Sequence, residues 1–311
     1  MPEMPIGVGD AEAQKNFLKE HKDFLIEHPE IHRLLETAFC RTLKAPDEVE
    51  VEHVRGLPDS DPAVVAFEDR VIADRIVFYL GRVAADDFGE LITLSGNARG
   101  IGAYKILRGM YERVVTAGYI AKNPSEARPF AEDIAIKKWK LWRTQEEAAP
   151  ESKNSIPAED LRNLEAEYQQ AQAKRKESYC TKCGQPKTQE AWTRVDLLSM
   201  AKKSDPQLAK LYGSCYLEPT FHSHATAFGL DRRLFRTESG ANSFRETSPK
   251  EARRALMLGH SLVLRLLGLQ SEYFGLGLDN QIQGRIDAFL AVWRDSSGPK
   301  KLDVPNAGTG D

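Results

Sequence analysis

Cys180-Thr181-Lys182-Cys183, followed by Gly184, is the first place where residue types and spacing suggest chemistry. Two cysteines separated by two residues can turn both thiolates toward one zinc ion, as in a zinc knuckle. A structural zinc takes four ligands, so the pair is half a site. His222 and His224, with Cys215 as a further donor, offer another half, because residues i and i+2 of an extended segment point to the same side. The alternatives are a cysteine turn without metal and a knuckle completed by a second chain. The two histidines also read as proton carriers, since an imidazole titrates near neutral pH. Arg232, Arg233, Arg236 and Arg245 follow them, and guanidinium groups hold phosphate by paired hydrogen bonds. The plainer reading of that stretch is a set of surface loop residues.

Two further groupings lie on helices. Arg253-Arg254-Ala255-Leu256-Met257-Leu258-Gly259-His260 sets Arg253 and His260 seven residues apart on one face, with Arg254 turned away. Arginine followed by histidine after four to six residues resembles the signature of the HEPN superfamily of helical ribonucleases. That resemblance implies an arginine that steadies the scissile phosphate and a histidine that moves a proton, without metal. Ala255 stands where the signature prefers a polar residue, and Leu256, Met257, Leu264 and Leu267 surround His260, which therefore also fits a core histidine. Arg108 and Glu112, one turn apart, read either as a buried ion pair locking two helices or, in a cleft, as groups that bind an anion and manage protons. Gly100-Ile101-Gly102 lacks the third glycine and the preceding strand of a dinucleotide loop.

Helices must position these groups. Apolar residues recur at three- and four-residue steps from Ala11 to Leu43, which predicts two helices hinged near Pro29. Residues 45–62 read as a loop, punctuated by Pro46, Pro58 and Pro62. A long helix then runs to about Leu94, and after a turn at Ser95-Gly96-Asn97 the next ends before Asn123-Pro124. Glycines 100, 102, 109 and 118 lie in or near that helix and suggest close backbone packing. Residues 125–187 read as an inserted helical hairpin that carries the cysteines. Helical periodicity is lost between Thr220 and Thr247, leaving a long loop or a small β-hairpin near 232–247. Ser248-Pro249-Lys250-Glu251 is a capping box that starts a helix running to about Phe274. Gly275-Leu276-Gly277 breaks it before a last helix from about Asn280 to Trp293.

Composition sets the class. Of 311 residues, 41% are hydrophobic and 29% charged, which is globular usage with ample core. No run approaches the roughly 18 apolar residues of a membrane span, and the start of the chain has no basic-then-apolar leader, so a cytoplasmic protein is expected. Four cysteines fit a reducing compartment. The net charge of −3 conceals an acidic first hundred residues and a basic stretch from Lys174 to Arg254, which suits an acidic partner such as RNA or a solvated surface balanced by the acidic half.

Leu107-Arg108-Gly109-Met110-Tyr111-Glu112-Arg113, with Tyr119-Ile120-Ala121-Lys122-Asn123-Pro124, resembles the first motif of a bacterial family, domain of unknown function fifty-six seventy-seven. Trp192, Met200-Ala201-Lys202-Lys203, Leu211-Tyr212 and Phe221-His222-Ser223-His224-Ala225 are similar to its second part. Glu218-Pro219-Thr220 departs from the serine-rich run that members more usually carry there. The resemblance implies an all-α, HEPN-like core in which Arg108, Glu112, Tyr212 and His222 or His224 converge, and no established activity.

The expectation is an all-α, irregular multi-helix bundle: an N-terminal helical appendage (1–61), a core domain (62–295) and a disordered tail (296–311). Functionally it is a metal-independent endoribonuclease or RNA-binding protein of a bacterial stress or defence system, working as a homodimer. The alternatives are a non-catalytic scaffold with a structural zinc knuckle and a zinc-dependent hydrolase.

Overall fold

The computed structural model describes residues 11–149, 157–175, 177–179, 186–188, 191–237, 240–244 and 247–293. Their architecture is an irregular all-α bundle with two short antiparallel hairpins. Cys180, Cys183, Arg245 and the tail from 296 lie outside the described residues.

Three helices make the centre: α4 (Pro62–Gly96), α5 (Gly100–Lys122) and α12 (Pro249–Phe274). Asp61 caps α4 by accepting a hydrogen bond from the Ala63 amide, and Pro62 occupies the first turn, where no amide is needed. α5 is enclosed on most sides, with Leu107, Met110, Tyr111, Val115 and Ile120 fully buried. The turn into α5 is fastened to the start of α12. Ala98, held at φ +53°, accepts from the Ser248 amide at 2.8 Å, and the Ser95 hydroxyl donates to Ala252 O at 3.2 Å. Ser248 does not form the expected capping box. Its Oγ accepts instead from the Ile101 amide of α5 at 3.3 Å, so the hydroxyl joins two helices rather than closing its own.

α2 (Lys22–Phe39) packs over α12 and α13 (Asp279–Trp293), and α1 (Ala11–Glu20) lies against α4. The hinge expected at Pro29 is absent. α2 passes through Pro29, and the interruption falls at His21. A mid-helix proline costs about 3 kcal/mol, whereas burying Phe24, Ile31 and Leu34 on the same helix returns about 1.5–3 kcal/mol each. The expected loop at 45–62 also contains a helix, α3 (Glu48–Val54), because Asp47 caps it through the Val49 amide.

α6 (Ala127–Ala148) and α7 (Ala158–Ala173) pair through a Trp139–Tyr168 stack and through Arg175–Asp133 and Lys174–Glu132 ion pairs. β1 (Glu177–Tyr179) and β2 (Pro186–Thr188) follow. α8 (Leu197–Ser204) and α9 (Pro206–Tyr212) are each capped by an aspartate, and α9 continues through a π-helical turn, Gly213–Leu217, into α10 (Glu218–Ser223). Pro219 accounts for the wide turn. Its ring would clash with the Cys215 carbonyl in an α-helix, and a π turn moves that carbonyl aside. The stretch where periodicity was expected to fail holds α10, α11 (Ala227–Asp231) and the hairpin β3 (Leu234–Arg236) with β4 (Asn242–Phe244). α12 ends at Gly275, whose φ of +61° lies in the left-handed region that glycine enters most readily. Among the described residues, no helix is long and apolar enough to cross a membrane.

Candidate functional site

α5 meets the α9–α10 segment along an antiparallel seam. Tyr104, Arg108 and Tyr111 fall at helical spacing, so one face of α5 presents all three. Tyr104 stacks on His222 with ring centres 5.6 Å apart and planes 11° from parallel. Further along, the Arg108 guanidinium lies 5.1 Å from the Tyr216 ring centre, and the Tyr111 hydroxyl donates to Leu208 O at 2.8 Å. Tyr212 stands edge-on to Tyr111. Arg108 donates to Glu112 at 3.1 Å, within α5 and partly in solvent. The pair therefore does not lock two helices as a buried ion pair would. At this exposure it is worth a few tenths of a kcal/mol, and what crosses the seam is Arg108 on the Tyr216 face.

His222 closes one end of this seam. It lies within α10, not in an extended segment, and is buried, whereas His224 at the helix end is exposed. The two imidazoles thus do not share a side. Nδ1 of His222 is enclosed without a hydrogen-bond partner in the protein. Burial pushes the His222 pKa down. The Glu218 carboxylate works against that shift, while Arg232 and Arg233 add to it. The ring is accordingly neutral near pH 7.

Glu218 and Arg254 complete the cluster. Arg254 of α12 forks onto the Glu218 carboxylate at 3.1 and 2.9 Å, and its Nη2 lies 3.5 Å from the Ser214 hydroxyl. Burial, with the Glu218 charge adding, pushes the Tyr104 hydroxyl up to about 12. The arginine of α12 that reaches this site is thus Arg254, the one that helical spacing turned away from His260.

Arg253 and His260 sit elsewhere. Arg253 lies near enough to His21 for its charge to help hold that imidazole's pKa down, after burial. His260 is fully enclosed by Phe24, Phe289 and Trp293, and its Nδ1 accepts from Trp293 Nε1 at 3.0 Å. Burial lowers its pKa to about 4. With α2 and α13 in place, no phosphodiester reaches it.

Arg232 lies exposed over the Phe228 ring at 5.2 Å, Arg233 over Phe244 at 5.4 Å, and Arg236 is exposed on β3. Cys215 is buried, and burial pushes its thiol up to about 12, so it is a thiol rather than a ready thiolate. Among the described residues no group of three or more histidine, cysteine, aspartate or glutamate side chains is arranged to hold a metal ion. Tyr104, Glu218 and Arg254 were not evident as site residues. Glu218–His222 and Tyr104–Arg108, each four apart, were the only local signals.

No curated protein and no solved structure matches the chain. One family's sequence pattern matches residues 74–242, a span that takes in Tyr104, Arg108, Glu112, Glu218, His222 and the Arg232–Arg236 stretch and leaves out Arg253 and His260. The match covers more than half of the 311 residues, and the chain belongs to that family, a family of unknown function designated DUF5677.

Proposed function

We propose that the chain acts on RNA as a metal-independent endoribonuclease of a bacterial stress or defence system, with His222 as the group that takes a proton. The observation that carries this reading is a histidine held neutral by burial, its Nδ1 without a partner in the protein, within electrostatic reach of Arg232 and Arg233. In the proposed step the imidazole accepts the proton of a ribose 2′-hydroxyl at Nε2, since Nδ1 is enclosed. The 2′ oxygen bonds to phosphorus, the bond to the 5′ oxygen breaks, and that oxygen receives a proton from a protonated donor, a role we assign to the exposed His224. The products are a 2′,3′-cyclic phosphate and a 5′-hydroxyl. Arg232 and Arg233 bind the phosphate and stabilise its added charge. An HEPN-like core and a homodimer belong to the same proposal, and sedimentation of the purified protein tests the second.

The test is incubation of the purified protein with mixed cellular RNA in excess chelator. Cleavage is expected to persist there and to fall about 100-fold or more in His222→Ala, the usual range for removing a general base. Cleavage that needs a divalent ion, or that His222→Ala leaves at full rate, overturns the assignment and favours a zinc-dependent hydrolase or another group.

A second reading is a non-catalytic binding or scaffold module. It draws on the pairing of Arg108 with Glu112 and of Arg254 with Glu218, which uses two of the site's cations internally. It predicts RNA bound and not cut. A structural zinc at Cys180 and Cys183 is compatible with either reading, and metal analysis after mild chelation reads it directly.

A further inference from the structure

Next to His222 the surface is unusual in what it leaves uncovered. Phe221, Phe228 and Phe244 are 45%, 39% and 48% exposed, within two dozen residues. Solvating three half-exposed phenylalanines is unfavourable at about 25 cal/mol per Å2, so a surface that presents them suits a ligand that covers them. Arginines are interleaved with the rings. Arg232 lies over Phe228 and Arg233 over Phe244, and no ion pair among the described residues engages Arg232, Arg233 or Arg236. The Phe221 and Phe228 rings are 5.2 Å apart, and Phe228 is 5.8 Å from the His222 imidazole. The surface therefore runs directly into the proposed site.

The support beneath it is fixed by short local bonds. The Thr226 hydroxyl donates to Phe221 O at 2.6 Å and accepts from the Gly229 amide at 3.0 Å. A Cβ on Gly229 would fall 2.7 Å from Phe221 O, so only glycine lets α10 and α11 approach this closely. In the hairpin, Leu234 pairs with Phe244 and Arg236 with Asn242, which puts Leu234, Arg236 and Phe244 on one face. The Thr237 amide donates to Ala241 O at 2.8 Å and closes the turn.

We infer that this surface is a stacking platform for unpaired nucleotides of an RNA strand, delivering the strand to His222. The inference rests on the proposed action on RNA and adds which form of RNA is taken. Flat rings that stack on phenylalanine, joined by phosphates that pair with arginine, match both components of the surface at once. A duplex offers only the phosphates, because its base faces are covered by their neighbours. A phosphorylated peptide likewise uses the arginines and leaves the rings exposed.

The experiment uses full-length protein carrying His222→Ala, in chelator, with a labelled twelve-nucleotide oligouridylate read by fluorescence anisotropy. A duplex of equal length and a phosphorylated peptide serve as comparison probes. The single strand is expected to bind at least about tenfold more tightly than the duplex. Phe228→Ala and Phe244→Ala are each expected to weaken it about tenfold, Phe228→Tyr to retain it, and Arg232→Gln to reduce the salt slope by about one. Thermal melts of each variant establish that loss of binding is not loss of fold. Equal binding of strand and duplex, unchanged affinity in both phenylalanine variants, or preference for the phosphopeptide overturns the platform. Binding that follows the expected pattern while the unmutated protein cuts nothing removes the catalytic reading and leaves the platform. Cleavage unaffected by the phenylalanine variants does the reverse.

Discussion

Gly100→Ala is expected to lower the stability of the chain by about 3 kcal/mol, and Gly102→Ala, two residues on, by nothing. A Cβ on Gly100 would stand 2.3 Å from the Ala252 amide nitrogen and 2.5 Å from Ser248 O. Both are backbone atoms of a second helix, pinned by the Ser248–Ala98 and Ser95–Ala252 hydrogen bonds, so neither can step aside without opening the α5–α12 junction. Overpacking a fixed site typically costs 1–3 kcal/mol and sometimes more. At Gly102 the added methyl would meet the Leu94 side chain at 3.6 Å, an ordinary contact, and alanine favours helix by up to about 1 kcal/mol over glycine. Urea titrations of the two variants decide the matter. Coincident midpoints would show that the junction relaxes and that the close approach is not a constraint.

Acid is the second strong perturbation. His260 carries a folded-state pKa of about 4 against 6.5 when unfolded, because burial excludes its charged form. Above pH 6.5 the group is neutral in both states and makes no difference. As pH falls from 6.5 toward 4, the unfolded chain binds a proton that the folded chain refuses, so stability declines, by about 3 kcal/mol in all. His21 and His28 are shifted in the same direction by burial and add to the loss. Unfolding free energies at about pH 7.5 and about pH 4.5 should differ accordingly. His260→Leu should flatten that dependence while costing about 1–3 kcal/mol at neutral pH, since Trp293 Nε1 loses its acceptor. A pH profile unaltered by that substitution would mean that the ring is already protonated or reachable by water.

The long helices were legible because their apolar faces repeat over many turns. Pro62 marked the start of α4 and Gly275-Leu276-Gly277 the end of α12, and both stand. The glycines of α5 announced close packing, which holds at Gly100 and at Gly118 against Ser204, but not at Gly102. What surrounds His222 was not legible. The π turn at Gly213–Leu217 inserts an extra residue into one winding, so the apolar positions before and after it do not share a phase, and the segment reads as irregular. Tyr104 and Arg254 reach His222 and Glu218 from far along the chain, and no local pattern records such contacts. His260 was left open between a catalytic and a core reading for the opposite reason. Its spacing from Arg253 is local and visible, while the helices that cover it come from the two ends of the described chain.

That covering also governs when the fold can be completed. Phe24 and His21 lie against Trp293, Glu27 pairs with Arg285, and Arg33 reaches Gln281. α2 thus has its partner in α13, and the loop between them spans nearly all of the described residues. Closing so long a loop is an entropic cost met only at the end. Until α13 has emerged, α2 exposes Phe24, and α12 exposes the ring of His260. During synthesis the nascent protein therefore carries an uncovered apolar surface from the emergence of α2 until that of α13, which makes this seam the place where a chaperone would be needed and where a product cut short before α13 would aggregate.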